Sequence, residues 1–116
     1  MYINGHRIPV SNISIATDFY HRQLGFTIVF QAEEYGWASI QRNGAEIGLY
    51  VPGKGGGTRS PGGSIDFSFV IADFDNYHAM LVKSGANVGE IIETNDGMKV
   101  FDITDPDGNE IVFRKE

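Results

Sequence analysis

The sequence predicts an α+β fold: two tandem βαβββ modules forming a cup-shaped mixed sheet, with helices on its outer face. Three observations lead there. Apolar spacing alternates between the periods of a strand and of a helix, in the same order twice. A stretch that is half glycine, Pro52 to Gly63, separates the two runs. Equivalent residues also recur at a nearly constant offset. Val10-Ser11-Asn12-Ile13 matches Ile71-Ala72-Asp73-Phe74 about 61 residues on, and Ile47-Gly48-Leu49 matches Ile111-Val112-Phe113 about 64 residues on. A chain of 116 residues holds one domain of this kind. The expected organisation within 1–116 is a first module at about 1–51, a linker at 52–63 and a second module at about 64–116.

Each element has a local cause. Ile8 and Val10 begin a short strand, and Asn12 is placed to cap the helix that follows. Ala16, Phe19, Tyr20 and Leu24 recur at helical spacing, and Gly25 supplies the stop. Strand-like runs cover Phe26 to Ala32, Trp37 to Arg42 and Ala45 to Val51. The glycine-rich stretch carries no apolar side chain for a core and reads as a flexible connection. A phosphate loop would need Ser or Thr after its lysine, but Gly55 follows Lys54. In the second module Phe67, Phe69 and Ile71 alternate as a strand, and Asp73 is expected to cap a helix with Phe74, Tyr77 and Leu81 inward. Gly85 ends that helix, and strands are expected at Val88 to Glu93, Lys99 to Thr104 and Glu110 to Arg114.

Composition narrows the function. Fifteen acidic against nine basic residues give a formal net charge of −6, which argues against nucleic acid as the main partner and favours a cationic ligand. The absence of cysteine removes disulfides, thiolate nucleophiles and cysteine-ligated zinc. No apolar run reaches membrane-spanning length and the N-terminus lacks a signal-peptide pattern, so the expectation is a cytoplasmic protein without a membrane partner.

Two motifs carry a family resemblance. Phe19-Tyr20-His21-Arg22-Gln23-Leu24-Gly25-Phe26 resembles the FYxxxLGF end of the first helix in the vicinal oxygen chelate superfamily, the group of glyoxalase I, bleomycin-resistance proteins and extradiol dioxygenases. Asp105-Pro106-Asp107-Gly108-Asn109 resembles its DPDGN turn before the last strand. Both motifs also have a purely structural explanation, as a buried helical stripe with its glycine stop and as a tight turn. The resemblance implies the duplicated fold and a homodimer, and it leaves the activity open.

Metal-dependent relatives draw ligands from the first and last strand of each module. The resemblance puts those places at Gly5, Gly48, Asp66 and Val112. Two glycines and a valine offer no donor, so no metal and no cofactor is expected, although a slip of one residue would bring in His6. His21 and His78 fall on helix positions away from the apolar stripes and are expected at the surface. Strand alternation then gives the lining of the cup. It turns Trp37, Ser39 and Gln41 inward on one strand, Glu46, Gly48 and Tyr50 on the next, and Asp66, Ser68 and Val70 on the strand that opens the second module. Val100, Asp102 and Thr104, and then Glu110, Val112 and Arg114, complete it.

Two flat aromatics, Trp37 and Tyr50, and four acids, Glu46, Asp66, Asp102 and Glu110, make the expected ligand-binding set. The leading expectation is a metal-free protein of the bleomycin-resistance type holding a cationic or aromatic organic molecule. The alternative is a glyoxalase-like isomerase or lyase with Asp66 as base or a recruited divalent metal. A third is an interaction module with a vestigial cup.

Overall fold

The computed structural model describes residues 5–54 and 56–116. They form two compact units, divided between Gly62 and Gly63. The first contains β1 (His6–Pro9), α1 (Ile13–Arg22), β2 (Thr27–Ala32), a 3₁₀ turn at Glu33–Tyr35, β3 (Trp37–Arg42) and β4 (Ala45–Tyr50). The second contains β5 (Gly63–Ile71), α2 (Phe74–Lys83), β6 (Ile92–Glu93), β7 (Lys99–Thr104) and β8 (Asn109–Lys115). Each unit is a four-stranded mixed sheet, ordered β1-β4-β3-β2 and β5-β8-β7-β6. The first strand runs parallel to the last in each, and the other pairs are antiparallel. The twice-repeated βαβββ order expected from the periodicity is present.

Helix α1 begins where Asn12 accepts a hydrogen bond from the Ile15 N–H at 2.9 Å. Its stripe of Ile13, Ala16, Phe19 and Tyr20 is buried. Gly25 takes φ +80°, and the Phe26 N–H returns to the Tyr20 carbonyl at 2.9 Å, closing the helix. Helix α2 repeats the device at its end, with Gly85 at φ +82° and the Ala86 N–H on the Leu81 carbonyl at 3.2 Å.

The second start differs from the expectation. Asp73 stands at the cap position, but its side chain makes no cap bond; its Oδ1 accepts from Asn76 Nδ2 at 2.9 Å instead. Strand β6 is also shorter than expected. Val88 makes only an isolated bridge to Ile103, and regular pairing is confined to Ile92 and Glu93. The intervening Gly89 backbone is used elsewhere: its N–H donates to the Asp102 carbonyl at 2.8 Å and its carbonyl accepts from His78 Nε2 at 2.8 Å. That bond, and an edge-on contact with Phe101 at 4.8 Å between ring centres, leave His78 half-buried rather than on the surface. His21 stays exposed and donates from Nδ1 to the Phe26 carbonyl at 2.7 Å.

Alternation holds through most of both sheets. Ala38, Ile40, Ile47 and Leu49 are buried in the first, and Phe69, Phe101, Ile103, Ile111 and Phe113 in the second. Phe113 stacks between Phe69 and Phe101, with ring centres 5.3 and 5.2 Å away. The Asp105–Asn109 turn is structural. Asp105 Oδ1 accepts from the N–H groups of Asp107 and Asn109 at 2.9 Å each, and its Oδ2 accepts from Asn109 Nδ2 at 2.8 Å.

Candidate functional site

On sheet β1-β4-β3-β2, strand register fixes two rows of neighbours. Arg7 pairs with Gly48, Gly48 with Ser39 and Ser39 with Phe30. Beside them Pro9 pairs with Tyr50, Tyr50 with Trp37 and Trp37 with Ala32. Trp37 leans from its own row onto the next. Its six-membered ring lies over Gly48, so a Cβ at position 48 would fall inside the indole. Glycine at this position therefore provides the seat of the indole.

The glycine-rich stretch, expected as a flexible connection, packs at its start. The Gly53 N–H donates to the Gly57 carbonyl at 2.8 Å, and the Lys54 N–H to the Val51 carbonyl at 3.0 Å. Gly56, at φ +93°, approaches the indole so closely that a Cβ there would stand 2.8 Å from Cζ3. Gly57 does the same to the Tyr50 ring, at 2.7 Å from Cε2. Side chains at either position would hold the segment off the rings.

A groove of about 740 Å³ opens here, lined by Gly5, Arg7, Val29, Phe30, Trp37 and Glu46 among others. Three of these were not expected from alternation. Pairing of β2 with β3 shifts between Ile28 and Phe30, a bulge at Val29. Without it Phe30 would share the face of Ile28, which pairs with buried Ile40. With it Phe30 turns to the groove, and Phe30 and Val29 are 54% and 52% exposed. Arg7 is the third. Its Nη1 donates to the Gly56 carbonyl, and its Cζ stands 5.9 Å from the centre of the Tyr50 ring.

Of the residues expected to bind ligand, Trp37 and Glu46 line this groove. Trp37 is half-buried, and Glu46 is exposed and accepts from Ser39 Oγ at 3.3 Å. Tyr50 is on the expected face but only 5% exposed, with Gly57 against its ring. The groove thus carries one cation and one anion where an acidic lining was expected. Asp66, Asp102 and Glu110 belong to the second unit, and all three are exposed. Asp66 lies where the β5–β8 pairing is irregular, between Ser64 and Ser68. Asp102 pairs with Val112, and Glu110 accepts from Ser64 Oγ at 3.1 Å.

The donor set does not suit a divalent ion at the four places named by resemblance. Gly5, Gly48 and Val112 have no ligating atom, and the room above Gly48 is filled by the indole. Nor does the one-residue slip help: Gly5 and Arg7 line the groove, while His6 pairs with buried Ile47 and does not line it. Among the described residues no three His, Asp or Glu side chains are grouped to hold a metal.

Solved structures resemble the whole chain. A superfamily member from Sphaerobacter thermophilus is 25% identical with a TM-score of 0.81, covering 100% of this chain and 98% of its own. TnmS3, an antibiotic-binding protein from Streptomyces sp. CB03234, is 26% identical with a TM-score of 0.77, over 99% and 95%. A lactoylglutathione lyase from Agrobacterium tumefaciens reaches a TM-score of 0.82 at 16% identity, over 98% and 92%, a likeness of fold alone. No curated protein sequence matches. A family model does match residues 2–113, and together with the doubled βαβββ sheets it establishes that the chain belongs to the Glyoxalase/Bleomycin resistance protein/Dioxygenase superfamily.

Proposed function

We propose that the chain is a small-molecule-binding protein of the bleomycin-resistance type, which holds a flat aromatic ligand in the groove beside Trp37 without a metal. One observation carries the reading: the indole is fixed over Gly48, while Phe30 and Val29 stand exposed in the same groove. Fixing the indole in advance lowers the ordering cost of a stacked complex. Covering the exposed apolar surface contributes about 25 cal/mol per Å². The similarity to an antibiotic-binding protein over nearly the full length of both chains supports the same reading.

Trp37 is the sole tryptophan, so its emission reports the groove directly. Titration with a panel of flat polycyclic compounds is expected to give saturable quenching at micromolar concentrations. Calorimetry with the Trp37→Phe variant is expected to show weaker binding of the same compounds. A flat response across the panel overturns the proposal. Stoichiometric bound metal together with turnover of a hemithioacetal would put a glyoxalase-like enzyme in its place.

A homodimer is part of the proposal, since a domain of this size gains stability from association. Val70 and Ile92, 62% and 58% exposed in the β5-β8-β7-β6 unit, supply apolar surface for it. Sedimentation velocity showing only monomer at working concentration would remove that part.

A further inference from the structure

We infer that the groove selects a ligand bearing an anionic group beside its flat body, and that Arg7 makes the selection. The inference rests on the groove being the ligand site. Arg7 comes from β1 in register with Gly48, the residue under the indole, so its guanidinium enters the groove next to the proposed stacking surface. The bond from Nη1 to the Gly56 carbonyl and the nearby Tyr50 ring fix where the guanidinium lies. A fixed arginine loses less entropy when it binds an anion than a free one does. Its charge is not spent: among the described residues Arg7 makes no ion pair, and the carbonyl it meets is neutral. A guanidinium has five N–H donors in a planar fork, so one bond to Gly56 leaves others for a carboxylate, sulfonate or phosphate.

The acid of the same groove does not cancel this. Glu46 stands opposite Gln41, two residues from Gly48 towards the β3–β4 turn, and its carboxylate accepts from Ser39 Oγ in the Gly48 row. Among the described residues no ion pair joins Glu46 to Arg7, so the guanidinium keeps its charge for a ligand. The overall charge of −6 would by itself favour a cation, so a preference for an anion has to be local.

The test uses Trp37 quenching by two probes that share a skeleton, pyrene-1-sulfonate and pyrene-1-methylammonium, at fixed ionic strength. The native protein is expected to bind the sulfonate about tenfold more tightly, the size of one modest charge-assisted hydrogen bond. Arg7→Gln is expected to bring the ratio close to one, and Arg7→Lys to keep part of it. Urea unfolding midpoints for both variants establish that each is folded. Equal affinities in the native protein, a preference for the ammonium probe, or a ratio unmoved by Arg7→Gln would each overturn the inference. Each of these leaves the proposed ligand site standing, because probes still bind. Absence of binding by either probe overturns both.

Discussion

The two units repeat one strand order, one helix position and one pair of glycine stops, yet their open sheet faces have little in common. In the first, the row through the last strand reads Arg7, Gly48, Ser39, Phe30. In the second, the corresponding row reads Ser68, Val112, Asp102. A missing side chain at Gly48 makes room for an indole, whereas Val112 fills the same position with its own methyl groups. The neighbouring row differs in the same way: Pro9, Tyr50, Trp37 and Ala32 against Val70, Arg114, Val100 and Ile92. Backbone pairing specifies the architecture in both units, and the side chains at two positions, Gly48 and Trp37 against Val112 and Val100, leave the aromatic platform to the first.

That difference can be broken directly. Gly48→Val makes the first unit resemble the second, and it gives the largest expected effect. The indole must leave its seat, costing about 1–3 kcal/mol by overpacking and shifting Trp37 emission to the red, read by urea unfolding and fluorescence. Unchanged emission would mean that Gly48 is not the seat. Gly56→Ala follows, at about 1–2 kcal/mol, since the residue has positive φ and its new methyl group meets the indole.

The helix starts sharpen the comparison further. Asn12→Ala is expected to cost about 1 kcal/mol, because the Ile15 N–H loses its acceptor. Asp73→Ala is expected to cost less than about 0.5 kcal/mol, because its side chain bonds only that of Asn76. Equal losses in urea unfolding would show that the two starts work alike.

The smallest effect is one of pH and belongs to the second unit. The Lys115 ammonium, bonded to Asp75 at 3.0 Å, holds that carboxyl below the ordinary aspartate range, and the Thr94 hydroxyl does the same for Asp96. A carboxyl with a depressed folded-state pKa contributes stability that is fully present above its unfolded pKa and is lost as pH falls through the folded value. The unfolding midpoint should therefore drop slightly through the acid side of the aspartate range. Lys115→Met should reduce that drop, and screening by salt should weaken it.

Much of this architecture is legible in the sequence alone. The stripes of α1 and α2 needed only a count of every third and fourth residue. Gly25 and Gly85 announced the helix ends, and both adopt the positive φ that favours glycine. The second unit begins at Gly63, at the end of the glycine-rich stretch, but the contacts of that stretch are not legible in the sequence. Placing Gly56 and Gly57 on Trp37 and Tyr50 requires knowing that the rings are there to be met. The face of Trp37, Ser39 and Glu46 also followed from alternation, but that of Phe30 did not. Arg7 does not stand out in the sequence because four acids dominate the lining that alternation predicts, and three of them lie in the other unit.

By itself the sequence determined the elements, their order and the faces of the regular strands, because helix period, pleat alternation and glycine stops act over a few neighbouring residues. Only the tertiary structure decided the site. A bulge at Val29 exists relative to a partner strand, and the seat on Gly48 exists relative to a side chain eleven residues earlier in the chain. The bond from Arg7 to Gly56 spans nearly the whole first unit. Each depends on hydrogen-bond register between segments distant in sequence, and no local pattern records that.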